Sequence, residues 1–338
     1  MTKSDKIRWG ILSTANIGMT KVTPAIQKSA HSEVVAICSR NAEQARAAAD
    51  KLGIPKAYGS YEELLADPDI DAIYNPLPNH LHVELTLAAN AQGKHVLCEK
   101  PIAITAEDAR KLRGARTDRL ILEGFMVRFH QQWLRAREIA RSGEIGEVRG
   151  VRAVFTYFNT DPANVRNKAD IGGGGLLDIG CYPVTGGRFF FEAEPERVVA
   201  LVDRDPNFGT DRQASVIADF GQGRHLTFLV STQLAPNQSL ELLGTRGRVE
   251  IVIPYNAPAD TATALLVDRG LTLDGSLARR EVLPPSDQYT EMAEAFALAA
   301  LGRQALPYGV EDAISSMHVL DAIFESERTG AWASVQKR

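Results

Sequence analysis

Residues 7–18 read I-R-W-G-I-L-S-T-A-N-I-G. A β-prone apolar run, Ile7–Leu12, leads straight into S-T-A-N-I-G. This segment stands where a dinucleotide-binding G-x-G-x-x-G would be, with Ser13 and Ala15 at the first two glycine positions and Gly18 at the third. Those positions do three jobs: a tight turn, a close backbone approach to pyrophosphate, and close helix–strand packing. Ala15 is the smallest replacement that still permits the approach. Ser13 is small and adds a hydroxyl able to reach phosphate, and Gly18 keeps the packing position. Pro24 is expected to limit the helix that follows, because an interior proline removes a backbone donor.

The surroundings supply the context this loop needs. Apolar runs at Ile7–Leu12, Val34–Ser39, Ala72–Pro76, His95–Glu99 and Leu120–Gly124 alternate with helix-period segments such as Asn41–Leu52 and His82–Gln92. Such alternation predicts a parallel sheet covered by helices on both faces. After Val148, strand-like runs dominate: Val148–Phe158, Arg197–Asp203, Ala214–Phe220, His225–Thr232, Leu240–Leu243, Arg248–Ile253 and Leu265–Asp268. Short turn signals, F-G-Q-G-R and G-T-R-G-R, suit antiparallel hairpins. Helical segments Gln288–Leu301 and Val310–Arg328 close the chain. The expected fold class is α/β: an N-terminal Rossmann-type parallel-sheet domain over residues 1–125, then an α+β domain with a large open, mainly antiparallel sheet over residues 126–338.

Composition narrows the partners. The 338 residues carry a net charge of −4 and no basic stripe, so nucleic acid is not an expected ligand. The start has no apolar signal-like core, and no stretch reaches the roughly 18 apolar residues of a membrane span. A cytoplasmic protein without membrane contact is expected. Cys38, Cys98 and Cys181 form neither a disulfide framework nor a zinc spacing, and read as buried small side chains in a reducing compartment.

Four stretches carry candidate chemistry. The run V-V-A-I-C ends in Ser39-Arg40-Asn41 with no acid. An acid there accepts from the ribose 2′-hydroxyl of NAD, whereas an arginine suits a 2′-phosphate through paired charge-assisted hydrogen bonds. NADP is expected, with NAD as the alternative; a merely solvated Arg40 is the plainer reading. N-P-L-P-N-H-L-H, Asn75 to His82, sets two prolines at the sheet's carboxyl edge. Its His80 and His82 lack an accompanying cysteine or acid cluster, so turn-stabilising hydrogen bonds are expected and no metal. C-E-K-P-I puts Lys100 at the end of a central strand, pointing into the ligand crevice or snorkelling at the surface. G-G-G-G-L-L-D-I-G-C-Y, Gly172 to Tyr182, offers glycines that let a ligand approach the backbone. A helix there would place Asp178 and Tyr182 on one face, as an acid–base pair or as a cap and a half-buried ring.

E-K-P combined with G-G-G-x-L-x-D-x-G resembles the signature of the Gfo/Idh/MocA oxidoreductases, in the same order along essentially the whole chain. S-T-A-N-I-G, G-C-Y-P and Arg166 of N-V-R are similar to the branch that holds NADP-dependent D-xylose dehydrogenases and dimeric dihydrodiol dehydrogenases. The resemblance implies cofactor contacts from Ser13, Thr14, Ala15, Asn16, Ile17, Ser39, Arg40, Pro76, Leu77, Asn79, His82, Glu99 and Lys100. It implies substrate contacts from Lys100, Arg166, Asp178 and Tyr182. Lys100 would polarise the reacting oxygen and hold down the tyrosine's pKa, Asp178 would orient substrate hydroxyls, and Tyr182 would carry the proton. The implied reaction is NADP-dependent oxidation of an aldose such as D-xylose at its anomeric carbon. The alternatives are a trans-dihydrodiol dehydrogenase, a keto-sugar reductase and, from a different class, a non-catalytic NADP-sensing regulator. A homo-oligomer, dimer or tetramer, is implied through the exposed face of the second sheet. One departure stands out: many relatives read R-F-H-P where this chain reads R-F-H-Q-Q-W, so no cofactor contact is carried over there.

Overall fold

Strands β1 (Ile7–Leu12), β2 (Ser32–Cys38), β3 (Lys56–Tyr58), β4 (Ala72–Asn75), β5 (His95–Cys98) and β6 (Ile121–Glu123) form one sheet in the order β3-β2-β1-β4-β5-β6. Every pairing is parallel. This computed structural model describes residues 5–336. The central strands are apolar on both faces because helices cover both: Trp9, Ile11, Ile37, Ile73 and Tyr74 are all fully buried. The covering helices are α1 (Thr23–Lys28), α2 (Ala42–Leu52), α3 (Tyr61–Ala66), α4 (His82–Ala91) and α5 (Ala106–Arg110). In α2 the Asn41 side chain accepts from Gln44 N–H at the start, Gly53 ends the helix, and Ala45, Ala48 and Ala49 form its buried stripe. β3 was not among the expected strands; it is a three-residue edge strand with every residue half-buried.

The second sheet follows α6 (Gln131–Ser142). Its members are β7 (Val148–Phe158), β8 (Arg197–Arg204), β9 (Asp211–Asp219), β10 (His225–Ser231), β11 (Gln233–Gly244), β12 (Arg248–Ile251), β13 (Thr263–Asp268), β14 (Arg279–Leu283) and β15 (Ala333–Ser334). They lie in the order β14-β13-β12-β11-β7-β10-β9-β8-β15. All pairings are antiparallel except β7 with β10. Helix α7 (Cys181–Phe191) is buried along its whole length. Its Gly186 and Gly187 leave room for Leu240 and Leu226 of the sheet and for Phe220 just after β9, whose atoms would stand 3.0 Å from any added Cβ. The departure at Q-Q-W is structural: Gln132 Nε2 donates to the Ile253 carbonyl (2.6 Å) and Trp133 Nε1 to that of Pro254 (2.7 Å).

Two helices remain, α8 (Gln288–Ala300) and α9 (Val310–Thr329). The chain divides into two units, and the first takes in the chain up to Met126 together with Tyr289–Ile314. Phe296 packs its ring 5.1 Å from that of Trp9, and the Ser29 hydroxyl donates to Glu294 at 2.6 Å. The second unit is Val127–Gln288 with the chain from Ser315 onward.

Candidate active site

In the first unit, strand order turns between β1 and β4, so the ends of these strands and of β5 frame a crevice. After β1, Ser13 holds φ at 100°, a backbone shape that glycine normally supplies. Its hydroxyl accepts the Ala15 N–H at 3.3 Å, which braces the turn and leaves the hydroxyl's own proton to donate. The helical run that begins at Asn16 passes through a widened π turn, Gly18–Val22, into α1. Pro24 does not stop it. Thr23 N–H reaches back five residues to Gly18 O, and Pro24 falls in the first turn of α1. The start of this run leaves first-turn amides beside Thr14, Ala15 and Asn16, an arrangement suited to a phosphate. Close packing rests on Gly10, where a Cβ would lie 2.9 Å from Ile70 Cδ1. At Gly18 a Cβ would make ordinary contact with Tyr74 at 3.5 Å.

At the end of β2, Ser39 is buried and accepts from Asn41 N–H (3.3 Å). Arg40 beside it is exposed, with no carboxylate partner among the described residues. After β4, Pro76 and Leu77 are buried and Asn79 is half-buried. His82 is 1% exposed, with Nδ1 2.7 Å from the Pro101 carbonyl and Nε2 2.6 Å from that of Leu77. Burial pushes its imidazole down to about 4. Both ring nitrogens face backbone, so the ring itself is not left for a cofactor; His82 joins the 76–79 turn to the loop of Lys100. His80 is exposed, and no three metal-capable side chains come together among the described residues.

The Lys100 loop is held from three directions. Tyr74, whose phenol is pushed well up by burial, donates to Glu99 Oε1 at 2.8 Å. Glu123 Oε1 accepts from Ile102 N–H at 2.7 Å, and His82 faces Pro101. Lys100 itself is half-buried. Tyr74 and Glu123 were not found from sequence, because nothing in a buried strand marks which polar residue will face a neighbouring loop.

In the second unit, the glycine run leads into a second π turn, Leu176–Gly180, which α7 continues. Asp178 lies in the widened turn and Tyr182 in the first turn of α7, so they do not share a regular α-helical face. Asp178 Oδ2 accepts from Arg166 Nε at 2.8 Å and from the Tyr157 hydroxyl at 2.7 Å. Arg166 is raised, first by Asp178 and also by the Tyr157 and Tyr182 oxygens, so its positive charge acts on both tyrosines. Its side chain is 44% exposed and that of Asp178 13%. The Tyr182 ring is nearly buried, edge-on to Phe155 at 5.6 Å and tilted against Tyr255 at 5.4 Å. Tyr157 is new to the site; burial pushes its phenol up, which keeps it a donor to Asp178.

The glycines serve a purpose other than ligand approach. A Cβ on Gly173 would lie 2.6 Å from the Arg166 and Lys168 carbonyl oxygens, and one on Gly174 2.0 Å from Asp211 Oδ1. The chain's own groups fill that space.

Two family models match the chain. The family described as "Oxidoreductase family, NAD-binding Rossmann fold" matches residues 7–118, and the "GFO/IDH/MocA C-terminal domain" matches residues 133–250. An uncharacterised oxidoreductase of Rhizobium meliloti is 45% identical over 98% of this chain and 100% of its own. A D-xylose 1-dehydrogenase (NADP(+)) of Haloferax volcanii is 38% identical over 96% of this chain and 98% of its own. The crystal structure of a 3-ketoreductase from Actinomadura kijaniata, in complex with NADP and TDP-benzene, superposes with a TM-score of 0.88 at 30% identity, covering 95% of this chain and 98% of that one.

Proposed function

The chain belongs to the Gfo/Idh/MocA family of oxidoreductases with an NAD-binding Rossmann fold, and on that premise we propose that it is an NADP-dependent dehydrogenase of a sugar, oxidising an aldose at its anomeric carbon. The reading rests on the Tyr157–Asp178–Arg166 cluster. A carboxylate oriented by two donors, beside a partly exposed guanidinium, offers acceptors and donors matched to several hydroxyls at once. The exposed Arg40 at the end of β2, with Ser39 in place of an acid, supports NADP over NAD.

Bound nicotinamide supplies the hydride acceptor. The chain's residues do the rest. Amides at the start of the 16–28 helical run receive the phosphates, and Arg40 receives the 2′-phosphate. Asp178 orients substrate hydroxyls. Tyr182 takes the proton of the anomeric hydroxyl, helped by the positive charge of Arg166, since a nearby cation favours phenolate. Lys100 polarises the reacting oxygen. The product is a lactone. The same residues run in reverse would reduce a keto-sugar, a second reading favoured by the likeness to the 3-ketoreductase.

The deciding experiment is a turnover screen with NADP and NAD against pentoses, hexoses, trans-dihydrodiols and, with NADPH, nucleotide-linked keto-sugars. The proposal expects NADPH and lactone to form together from an aldose. Absence of turnover on every aldose, with turnover on a diol or a keto-sugar, would replace it.

A further inference from the structure

Asp211 opens β9 with only 2% of its surface exposed, and the mechanism above does not use it. Its carboxyl sits beneath the glycine loop. Oδ2 accepts the Leu176 N–H at 2.5 Å, and Leu176 is the first residue of the π turn that carries Asp178. The loop follows the shape of this side chain. Gly174 lies over Oδ1 with φ at 120°, a conformation that other residues rarely adopt, and an added Cβ there would overlap the carboxyl. Gly174 is also a junction: its N–H donates to the Arg166 carbonyl at 2.9 Å and its carbonyl accepts the Asp178 N–H at 3.1 Å. The backbones of Arg166 and Asp178 are thus both tied to a residue that rests on Asp211.

We propose that Asp211 is a positioning residue: its carboxyl seats the glycine loop and fixes the first turn of the helical run that bears Asp178 and Tyr182. A helix's first amides have no partner within the helix, so one carboxyl that takes the Leu176 N–H sets where the run begins. Asp211 touches no reacting atom; it acts through the loop. The proposal rests on the sugar dehydrogenase reading only for the choice of turnover assay.

The test compares wild type, Asp211→Leu and Asp211→Asn in the full chain by two readouts. The first is amide hydrogen exchange of the 172–182 segment. Loss of this hydrogen bond should accelerate exchange in Asp211→Leu by roughly 2- to 13-fold. Exchange in β1 and β4 should not change. The second readout is kcat on whichever substrate the screen identifies, with the NADP dissociation constant as control. In Asp211→Leu, kcat should fall with NADP binding unchanged, and Asp211→Asn, which keeps an acceptor of the same size, should restore most of both. Unchanged exchange at 172–182 would overturn the anchor, whatever the substrate proves to be. Faster exchange with wild-type kcat would overturn the positioning role. Should wild type oxidise no sugar, the functional reading fails while the exchange data still decide the anchor. If Asp211→Leu does not fold, Gly174→Ala replaces it. Its Cβ collides with the carboxyl, so exchange at 172–182 should accelerate while β1 and β4 keep wild-type protection, and wild-type exchange at 172–182 would count against the proposal.

Discussion

Tyr157 donates its phenolic proton to Oδ2 of Asp178 at 2.7 Å, and Arg166 donates to the same oxygen at 2.8 Å. Two donors on one carboxylate oxygen fix the plane of the group. The carboxylate therefore presents a set orientation, which is what selective recognition of a polyhydroxylated ring needs. Tyr157→Phe removes one donor and keeps the ring. Kinetics of the variant should show kcat/KM reduced by roughly 10- to 150-fold, the value of one hydrogen bond to a charged group. A variant indistinguishable from wild type would reduce Tyr157 to a packing residue.

Cofactor choice turns on Arg40. Arg40→Ala should weaken NADP binding by roughly 10- to 150-fold and leave NAD nearly unchanged, because only the 2′-phosphate loses its charged donor. Fluorescence titration with both cofactors checks this. Wild type binding NAD more tightly than NADP would reverse the assignment.

Asp211 also makes a statement about stability. Burial pushes its carboxyl up to about 7, against the opposing pull of the Leu176 N–H and of Arg204 on β8. Glu327 of α9 pushes it further up, and Tyr157 of β7 also faces it. An unfolded aspartate releases its proton near about 4. Between those values the folded chain holds more protons than the unfolded one, so stability falls as pH rises from about 4 to about 7 and levels off above. Asp211→Asn should remove that slope. Thermal unfolding of both proteins between pH 5 and pH 8 reads it directly: a Tm difference that stays constant with pH would show that Asp211 does not titrate there.

The outer face of the second sheet should carry the subunit contact. Leu201 on β8 and Ile217 on the adjacent β9 are 79% and 43% exposed, beside Val199 and Leu229. An apolar stripe of this kind on a broad antiparallel sheet marks an interaction surface. Light scattering at micromolar concentration should give a dimer or larger, and Leu201→Lys with Ile217→Lys should give a monomer. A monomeric wild type would leave the face without that role.

What could be read from the sequence follows from what leaves a local trace. The strands of the parallel sheet are apolar on both faces, so Val34–Val35–Ala36 or Ile73–Tyr74 stand out as runs. β3 leaves no such trace, being three half-buried edge residues. The π turns are equally silent, because Gly18–Val22 and Leu176–Gly180 differ from α-helix only in where one hydrogen bond closes. Lys100, Asp178 and Tyr182 sit in compact motifs. Tyr157 and Asp211 do not: they meet Asp178 and Leu176 across sequence separations of 21 and 35. The glycine run was read as room for a ligand to approach the backbone, whereas the space beside Gly174 is filled by Asp211.

Tyr182→Phe should keep the fold and NADP binding and lose most turnover, since only the ionisable oxygen goes and the ring still packs against Phe155 and Tyr255. General acid–base assistance is typically about 10²- to 10⁴-fold, and kcat should fall within that range. Arg166→Gln tests the charge that favours phenolate. It removes the cation acting on Tyr182 and one donor to Asp178, so the alkaline optimum of the residual activity should move upward. Lys100→Met should be at least as damaging to kcat as Tyr182→Phe, because it removes the charge proposed to polarise the reacting oxygen. The three variants separate enzyme from sensor: a regulator would bind NADP and show no turnover for any of them to reduce. Wild-type kcat in Tyr182→Phe would make Tyr182 a structural residue, and the proton would then have to leave through Lys100.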